Sequence, residues 1–357
     1  MKRIRVLVVG CGNMGASHAR AYNTLEEFEL VGIVDRSAAA VEAFNKSVGG
    51  AYPHFIDFAE AVALLKPDAV AVCTYPDTHE ELAAAALKAG CHVFVEKPLA
   101  STVAGAERVA QLARELNKKV VVGYILRHHP SWIKFVELAR GLGKPLVMRM
   151  NLNQQSSGKT WETHKNLLKV LTPIVDCGVH YIDVMCQMTG SRPVRVSGIS
   201  ARLSPEIAAT SRNYGQLQVE FADGSIGWYE AGWGPMMSTT AFFVKDVIGP
   251  EGCVSIAARQ AASDKKSDNV GSHTKTESLR IHSARCGADG NFAAEDEWLD
   301  TSDEPDHDEL CRREQLFLYN SIVSDADLSA HISDAVNSLK IALAADESAR
   351  TGRTINF

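Results

Sequence analysis

The sequence predicts a two-domain protein: a doubly wound α/β unit over residues 1–124, then an α+β domain with a mainly antiparallel sheet over residues 125–357. In the first third, short apolar runs rich in β-branched residues alternate with helical ones, the β-α-β-α order that winds a parallel sheet. After about Tyr124 the strands become longer and alternate in polarity, with turn signals such as Asp223-Gly224 between them. A chain of 357 residues is also long for a single core.

Residues 5–9 form an apolar run that stops at a glycine turn, as a buried parallel strand should. A helix over 16–25 and a strand over 30–34 follow, and Ser37 is placed to cap a helix running to Val48. Residues 69–73 and 92–95 are strands flanking an Ala-rich helix over 78–89 that Gly90 closes. A helix over 102–116 and a strand over 120–123 complete the unit. In the second domain the expected strands are 146–152, 194–203, 214–221 and 225–233, with a further turn at 249–252 between 241–248 and 253–257. The polar stretch 260–277 reads as a long exposed loop, and the acidic stretch 295–309 as a solvated segment leading into a helix rather than a metal site. Helices over 309–324 and 331–351 close the chain.

The formal net charge of -6 and the lack of any basic run argue against nucleic acid or an anionic membrane as the main partner. The eight cysteines are scattered without a CxxC pair, so neither a zinc site nor a disulfide framework is expected. No apolar run reaches transmembrane length, and the one near the start is too short for a signal peptide. The resulting expectation is a cytoplasmic protein without metal.

Gly10-Cys11-Gly12-Asn13-Met14-Gly15 lies between the first strand and first helix, where a dinucleotide fingerprint belongs. Gly10 permits a tight turn, Gly12 lets the backbone approach a pyrophosphate, and Gly15 lets helix and strand pack closely. The helix N-terminus then offers N–H groups to the phosphates. Asp35, at the end of the second strand, is positioned to bind the adenosine ribose hydroxyls and to repel a 2′-phosphate. A Rossmann domain binding NAD is therefore expected, with NADP still possible because Arg36 is adjacent.

Two further clusters carry possible chemistry. Glu96-Lys97-Pro98 follows a strand at the carboxyl edge of the sheet, where open α/β sheets bind ligands. A lysine there can stabilise a developing alkoxide, although a Glu-Lys pair before proline is also a common surface feature. In the run from Asp176 to Asp183, a helix would bring 176, 180 and 183 within about 60° of one another. Asp176 beside His180 is the usual arrangement for a tuned general base, yet a helix cap and a core histidine would leave the same pattern.

Taken in order, these motifs resemble the Gfo/Idh/MocA oxidoreductase family. The likeness runs from the glycine fingerprint and Asp35 through 74–79, Glu96-Lys97-Pro98, Gly123-Tyr124 with Arg127 and Pro130, and Asp176-x-Gly178-x-His180, to 334–353. It implies a large, mostly antiparallel sheet in the second domain, often the interface of homodimers or homotetramers, and a sugar, inositol or related polyol as substrate. It implies Lys97 as the catalytic lysine, Asp176 and His180 at the reacting hydroxyl, and Glu96 near the nicotinamide ribose. Thr74, Pro76 and His79 match the cofactor cleft, and Tyr124 and Arg127 match a region that often reaches substrate. A cis Lys97–Pro98 peptide is also implied. One departure is the stretch before Asp176, where 170–175 lacks the family's glycine-rich run and Trp161, Glu162 and His164 replace the commoner Trp-Arg pattern. Trp161 is expected to border the substrate. The expected activity is NAD(P)-dependent oxidation of a secondary hydroxyl. Its alternatives are an NAD-dependent glycosidase working by transient oxidation and a non-catalytic nucleotide sensor.

Overall fold

The computed structural model describes residues 3–239, 243–257, 267–268 and 273–357. The chain forms two compact units, Met1–Ile125 with Asp306–Val336, and Leu126–Pro305 with Asn337–Phe357.

The first unit is built on a six-stranded sheet. Its strands are β1 (Ile4–Val9), β2 (Phe28–Val34), β3 (His54–Phe55), β4 (Ala69–Val72), β5 (His92–Val95) and β6 (Val120–Val122), in the order β3-β2-β1-β4-β5-β6. Every pairing is parallel. Val6, Leu7, Val8, Val70, Ala71, Val93, Phe94 and Val121 are completely buried, which explains why these strands read as unbroken apolar runs. The order reverses between β1 and β4, and that switch point opens a crevice at the strands' carboxyl ends.

Helix starts follow their capping chemistry. Ser37 accepts from the Ala40 N–H ahead of Ala38–Val48, and Thr102 accepts from Gly105 ahead of Val103–Glu115. Asp57 does the same for Phe58–Leu65, a short helix the sequence reading did not anticipate. Residues 306–336, expected in the second domain, cluster with the first unit because the helix His307–Val323 packs on Asn13–Thr24. Tyr22 and Tyr319 close edge-on around Phe28, and the Tyr22 hydroxyl donates to Gln315 Oε1 at 2.6 Å.

The second unit carries a nine-stranded sheet. It comprises β7 (Val147–Gln155), β8 (Pro193–Ala201), β9 (Tyr214–Phe221), β10 (Ile226–Gly234), β11 (Lys245–Gly249), β12 (Gly252–Ile256), β13 (Glu277–Ser283), β14 (Glu297–Thr301) and β15 (Ile355–Asn356). The order is β14-β13-β12-β11-β7-β10-β9-β8-β15, with β7 and β10 parallel and the other pairs antiparallel. The β9–β10 hairpin turns at Gly224, whose φ of 83° suits glycine, while the Asp223 carboxylate accepts from Ser225 N–H. Helices Pro130–Arg140, Gly158–Leu167, Pro173–Asp176 and Gly178–Thr189 pack against this sheet.

Two stretches differ from the sequence reading. Of the expected loop at 260–277, residues 260–266 and 269–272 lie outside the described residues, but Ser267, His273, Thr274 and Thr276 are buried rather than exposed. Polar composition misleads here because these groups pair internally. Thr276 donates through N–H and hydroxyl to Glu304, and the buried Lys245 Nζ donates to the His273 carbonyl. The acidic segment, expected as a solvated stretch leading into a helix, also contains the edge strand β14, whose Glu297 and Asp300 are exposed as edge strands favour. Residues 241–242 of the expected strand 241–248 also lie outside the described residues. Among the described residues, no helix is long and apolar enough to cross a membrane.

Candidate functional site

In the first unit the glycine turn sits at the switch point. Gly10 has φ 98°, and a Cβ there would lie 2.6 Å from the Cys73 carbonyl oxygen. A Cβ on Gly15 would fall 1.9 Å from the Gly10 carbonyl oxygen, so helix and turn touch through bare backbone. Gly12 is the opposite case: nothing lies within 4 Å of its missing Cβ. Gly12 also caps Asn13–Thr24 without a side-chain hydrogen bond, and the first turn, with Asn13 and Met14, holds no acid. Open space over uncapped, positively polarised N–H groups fits a dinucleotide pyrophosphate. Asp35 accepts from Cys11 N–H through Oδ2 and from Ser37 N–H through Oδ1, both at 2.8 Å, which fixes its carboxylate beside the turn. Arg36 next to it is exposed. Burial, helped by the Asp35 charge, pushes the Cys11 thiol up to about 12, so it stays protonated.

The β4 and β5 ends supply the remaining predicted groups of this unit. Thr74 is half-buried with its hydroxyl 2.6 Å from that of Thr78, and Pro76 is buried at the start of a short 3₁₀ turn. His79 is fully buried, with Nδ1 2.7 Å from the Pro98 carbonyl and Nε2 3.1 Å from the Thr74 carbonyl. Burial lowers its pKa, so the ring favours its neutral form. Glu96 is buried and Lys97 half-buried just past β5, and the Lys97–Pro98 peptide is cis, as the resemblance implied. Tyr124 is buried after β6, beside Gly123, whose Cβ would meet Glu96 Oε2 at 3.4 Å.

Sequence reasoning missed the group beneath Glu96. His18, on the helix that follows the glycine turn, is fully buried with Nε2 2.6 Å from Glu96 Oε1. Around it lie Gln315, Cys311 and Glu314 from His307–Val323. Burial, reinforced by the Glu96 charge, raises the Glu314 carboxyl well above its ordinary value, and burial raises the Cys311 thiol likewise. Burial thus favours the neutral form of both.

In the second unit, Asp176 ends the short helix Pro173–Asp176, and His180 lies in the first turn of Gly178–Thr189. Asp176 is buried and His180 half-buried. Asp183, three residues after His180 in the same helix, accepts from Arg127 Nε at 2.8 Å and from a second guanidinium nitrogen at 2.5 Å, and also from Gln187. Arg127 thus pairs with Asp183 in the strand-end region that the resemblance assigns to it. Trp161 is buried, its indole N–H donating to Glu206 at 3.1 Å. His164, part of the unusual stretch, stacks on Trp233 at 4.5 Å and 15°. Tyr229 stacks on Tyr181, and a Cβ on Gly178 would lie 3.1 Å from its ring. The Tyr229 hydroxyl and the Trp233 indole nitrogen are buried without hydrogen-bond partners among the described residues.

Residues 4–124 match the NAD-binding Rossmann-fold model of the Gfo/Idh/MocA oxidoreductases, and 138–244 match the C-terminal domain of the same family. The chain belongs to the Gfo/Idh/MocA oxidoreductase family. Its first unit contains the family's NAD-binding domain. Among curated relatives, an inositol 2-dehydrogenase of Paracoccus denitrificans is 28% identical over 62% of this chain and 65% of its own length. A D-glucoside 3-dehydrogenase of Escherichia coli is 28% identical over 64% of this chain and 69% of its own. The match thus spans less than two thirds of the first relative and slightly more of the second. A scyllo-inositol dehydrogenase from Lactobacillus casei, solved with NAD(H) and scyllo-inositol, shares the fold with TM-score 0.78 at 21% identity, covering 99% of both chains.

Proposed function

We propose that the protein oxidises a secondary hydroxyl of a sugar, inositol or related cyclic polyol, or reduces the corresponding ketone. The observation that carries this reading is Lys97 at the carboxyl edge of a sheet whose order and glycine turn suit NAD. The dehydrogenase names of the relatives supply the substrate class. Bound NAD would supply the hydride acceptor, held by the N–H groups after Gly10, Gly12 and Gly15 and by Asp35. In this proposal the Lys97 ammonium stabilises negative charge developing on the substrate oxygen. His180 takes the hydroxyl proton, and Asp176, four residues earlier, orients the imidazole or binds an adjacent hydroxyl. Assembly into a homodimer or homotetramer through the exposed sheet face that carries Ile199, Ile226 and Ile248 belongs to the same proposal, and light scattering tests it.

The test is a spectrophotometric screen of inositols, aldoses and sugar acids with NAD and NADP, repeated with Lys97→Ala. Turnover should fall by about 10²–10³ in the variant while NAD still binds. Sugar released without accumulating NADH would favour redox-neutral glycoside cleavage. Wild-type turnover in Lys97→Ala would refute the role given to the lysine.

A further inference from the structure

The segment carrying Lys97 is held from two sides by buried histidines that lie far from it in sequence. On one side His18 Nε2 lies 2.6 Å from Glu96 Oε1, while Glu96 Oε2 accepts from the Lys97 backbone N–H at 3.2 Å. One carboxylate therefore ties the helix of the glycine turn to the lysine's main chain. On the other side His79 Nδ1 lies 2.7 Å from the carbonyl oxygen of Pro98.

The protonation of both rings follows from their neighbours. The Tyr22 hydroxyl donates to Gln315 Oε1, which turns the amide nitrogen of Gln315 toward His18 Nδ1 at 3.0 Å. Nδ1 must then accept, which leaves the proton on Nε2, and His18 donates it to Glu96. The ring cannot turn away, because Phe94 packs against it with centroids 4.5 Å apart. His79 faces two carbonyl oxygens, and burial keeps it neutral with a single proton. The shorter contact, to Pro98, places that proton on Nδ1.

The potential ligand atoms of His18, Cys311 and Glu314 lie within 4.8 Å of one another. A metal there would have to displace one of the two hydrogen bonds His18 already makes and deprotonate groups that burial holds neutral. The hydrogen-bonded arrangement satisfies His18 without one.

We infer that His18 and His79 are positioning residues for Lys97, clamping residues 96–98 through the Glu96 carboxylate and the Pro98 carbonyl. This rests on the proposed role of Lys97, and an oriented charge matters because misplacement by about 1 Å costs on the order of 10²-fold in rate.

The experiment reads the lysine in the cofactor-free protein first. Lysines are reductively methylated with a carbon-13 label, the Lys97 signal is assigned by its loss in Lys97→Arg, and its shift and titration are followed in His18→Leu, His79→Leu and His18→Gln. Both leucine variants should move the Lys97 signal and its titration midpoint. Glutamine, whose amide N–H can replace the Nε2 donor, should return it toward wild type. With NAD and substrate, both leucine variants should lose about 10-fold or more in kcat, and His18→Leu should keep a Kd for NAD within about threefold of wild type. An unchanged Lys97 titration in both leucine variants, or a glutamine variant no better than leucine, would overturn the inference. Should the leucine variants fail to fold, nitrogen-15 spectra of the wild-type protein decide the His18 arm: an Nδ1–H tautomer, or stoichiometric zinc in the purified protein, sinks it. If the wild type turns over no polyol, the functional reading fails while these cofactor-free measurements still judge the clamp.

Discussion

Gly12→Ala and Gly15→Ala should separate cofactor binding from folding, although both remove a glycine of the same turn. At Gly15 the new methyl would sit 1.9 Å from the Gly10 carbonyl oxygen, so backbone must shift. Gly10 has little freedom to yield: its N–H donates to Val34, and its own Cα faces the Cys73 carbonyl, whose residue is bonded to Val9. Overpacking of this kind costs about 1–3 kcal/mol, or several degrees of Tm at roughly 2–4 °C per kcal/mol. At Gly12 the backbone is extended, with φ -74° and ψ -172°, and a methyl meets nothing within 4 Å. Only the preference for glycine over alanine at a helix cap is lost, about 1 kcal/mol at most. The methyl would instead occupy the space over the helix N-terminus, and a Kd for NAD raised about tenfold corresponds to ~1.4 kcal/mol. Differential scanning calorimetry and isothermal titration of NAD measure the two effects. A Gly15→Ala protein with wild-type Tm, or a Gly12→Ala protein with wild-type affinity, would refute the account of the turn.

Asp346 accepts from the Thr172 hydroxyl, and burial lifts its carboxyl from 3.8 to about 6. The folded state therefore favours the protonated acid, and stability is lost as pH rises from the ordinary value through about 6. Asp346→Asn should be more stable than wild type above that window, by up to about 3 kcal/mol, with the gain vanishing at lower pH; urea titrations at both ends decide it. Arg127→Leu removes the bidentate partner of the buried Asp183 and should cost about 3–5 kcal/mol, partly recovered when Asp183→Leu is added; additive losses in the double variant would contradict the pairing.

The parallel sheet was legible because burial on both faces leaves a signal in consecutive residues: β1, β4, β5 and β6 all read as apolar runs ending at turn residues. The hairpin at Asp223-Gly224 was legible for a similar reason, since the turn conformation restricts the residue itself. Burial achieved by polar pairing leaves no such trace. Thr276 and Glu304 are 28 positions apart, and each looks like surface until the other is placed. The helix His307–Val323 shows the same limit at the scale of an element. Its sequence announces a helix, but its packing on Asn13–Thr24 is a tertiary choice.

The site divides along the same line. Gly10, Gly12, Gly15 and Asp35 sit within one β-α-β unit, so spacing alone could locate them. Asp183 could be placed by helical phase, yet phase does not choose a carboxylate's partner, and its pairing with Arg127 left no trace in the sequence. His18 is the sharper case. Three positions after Gly15 it is indistinguishable from any helical histidine, and its meaning comes from Glu96, 78 residues later. A polar residue on the inner face of the dinucleotide helix is the one signal that was available. A buried histidine must find partners, and in the second turn of that helix one of them, Glu96, lies just past β5, where ligands of such sheets bind, while the other, Gln315, comes from His307–Val323.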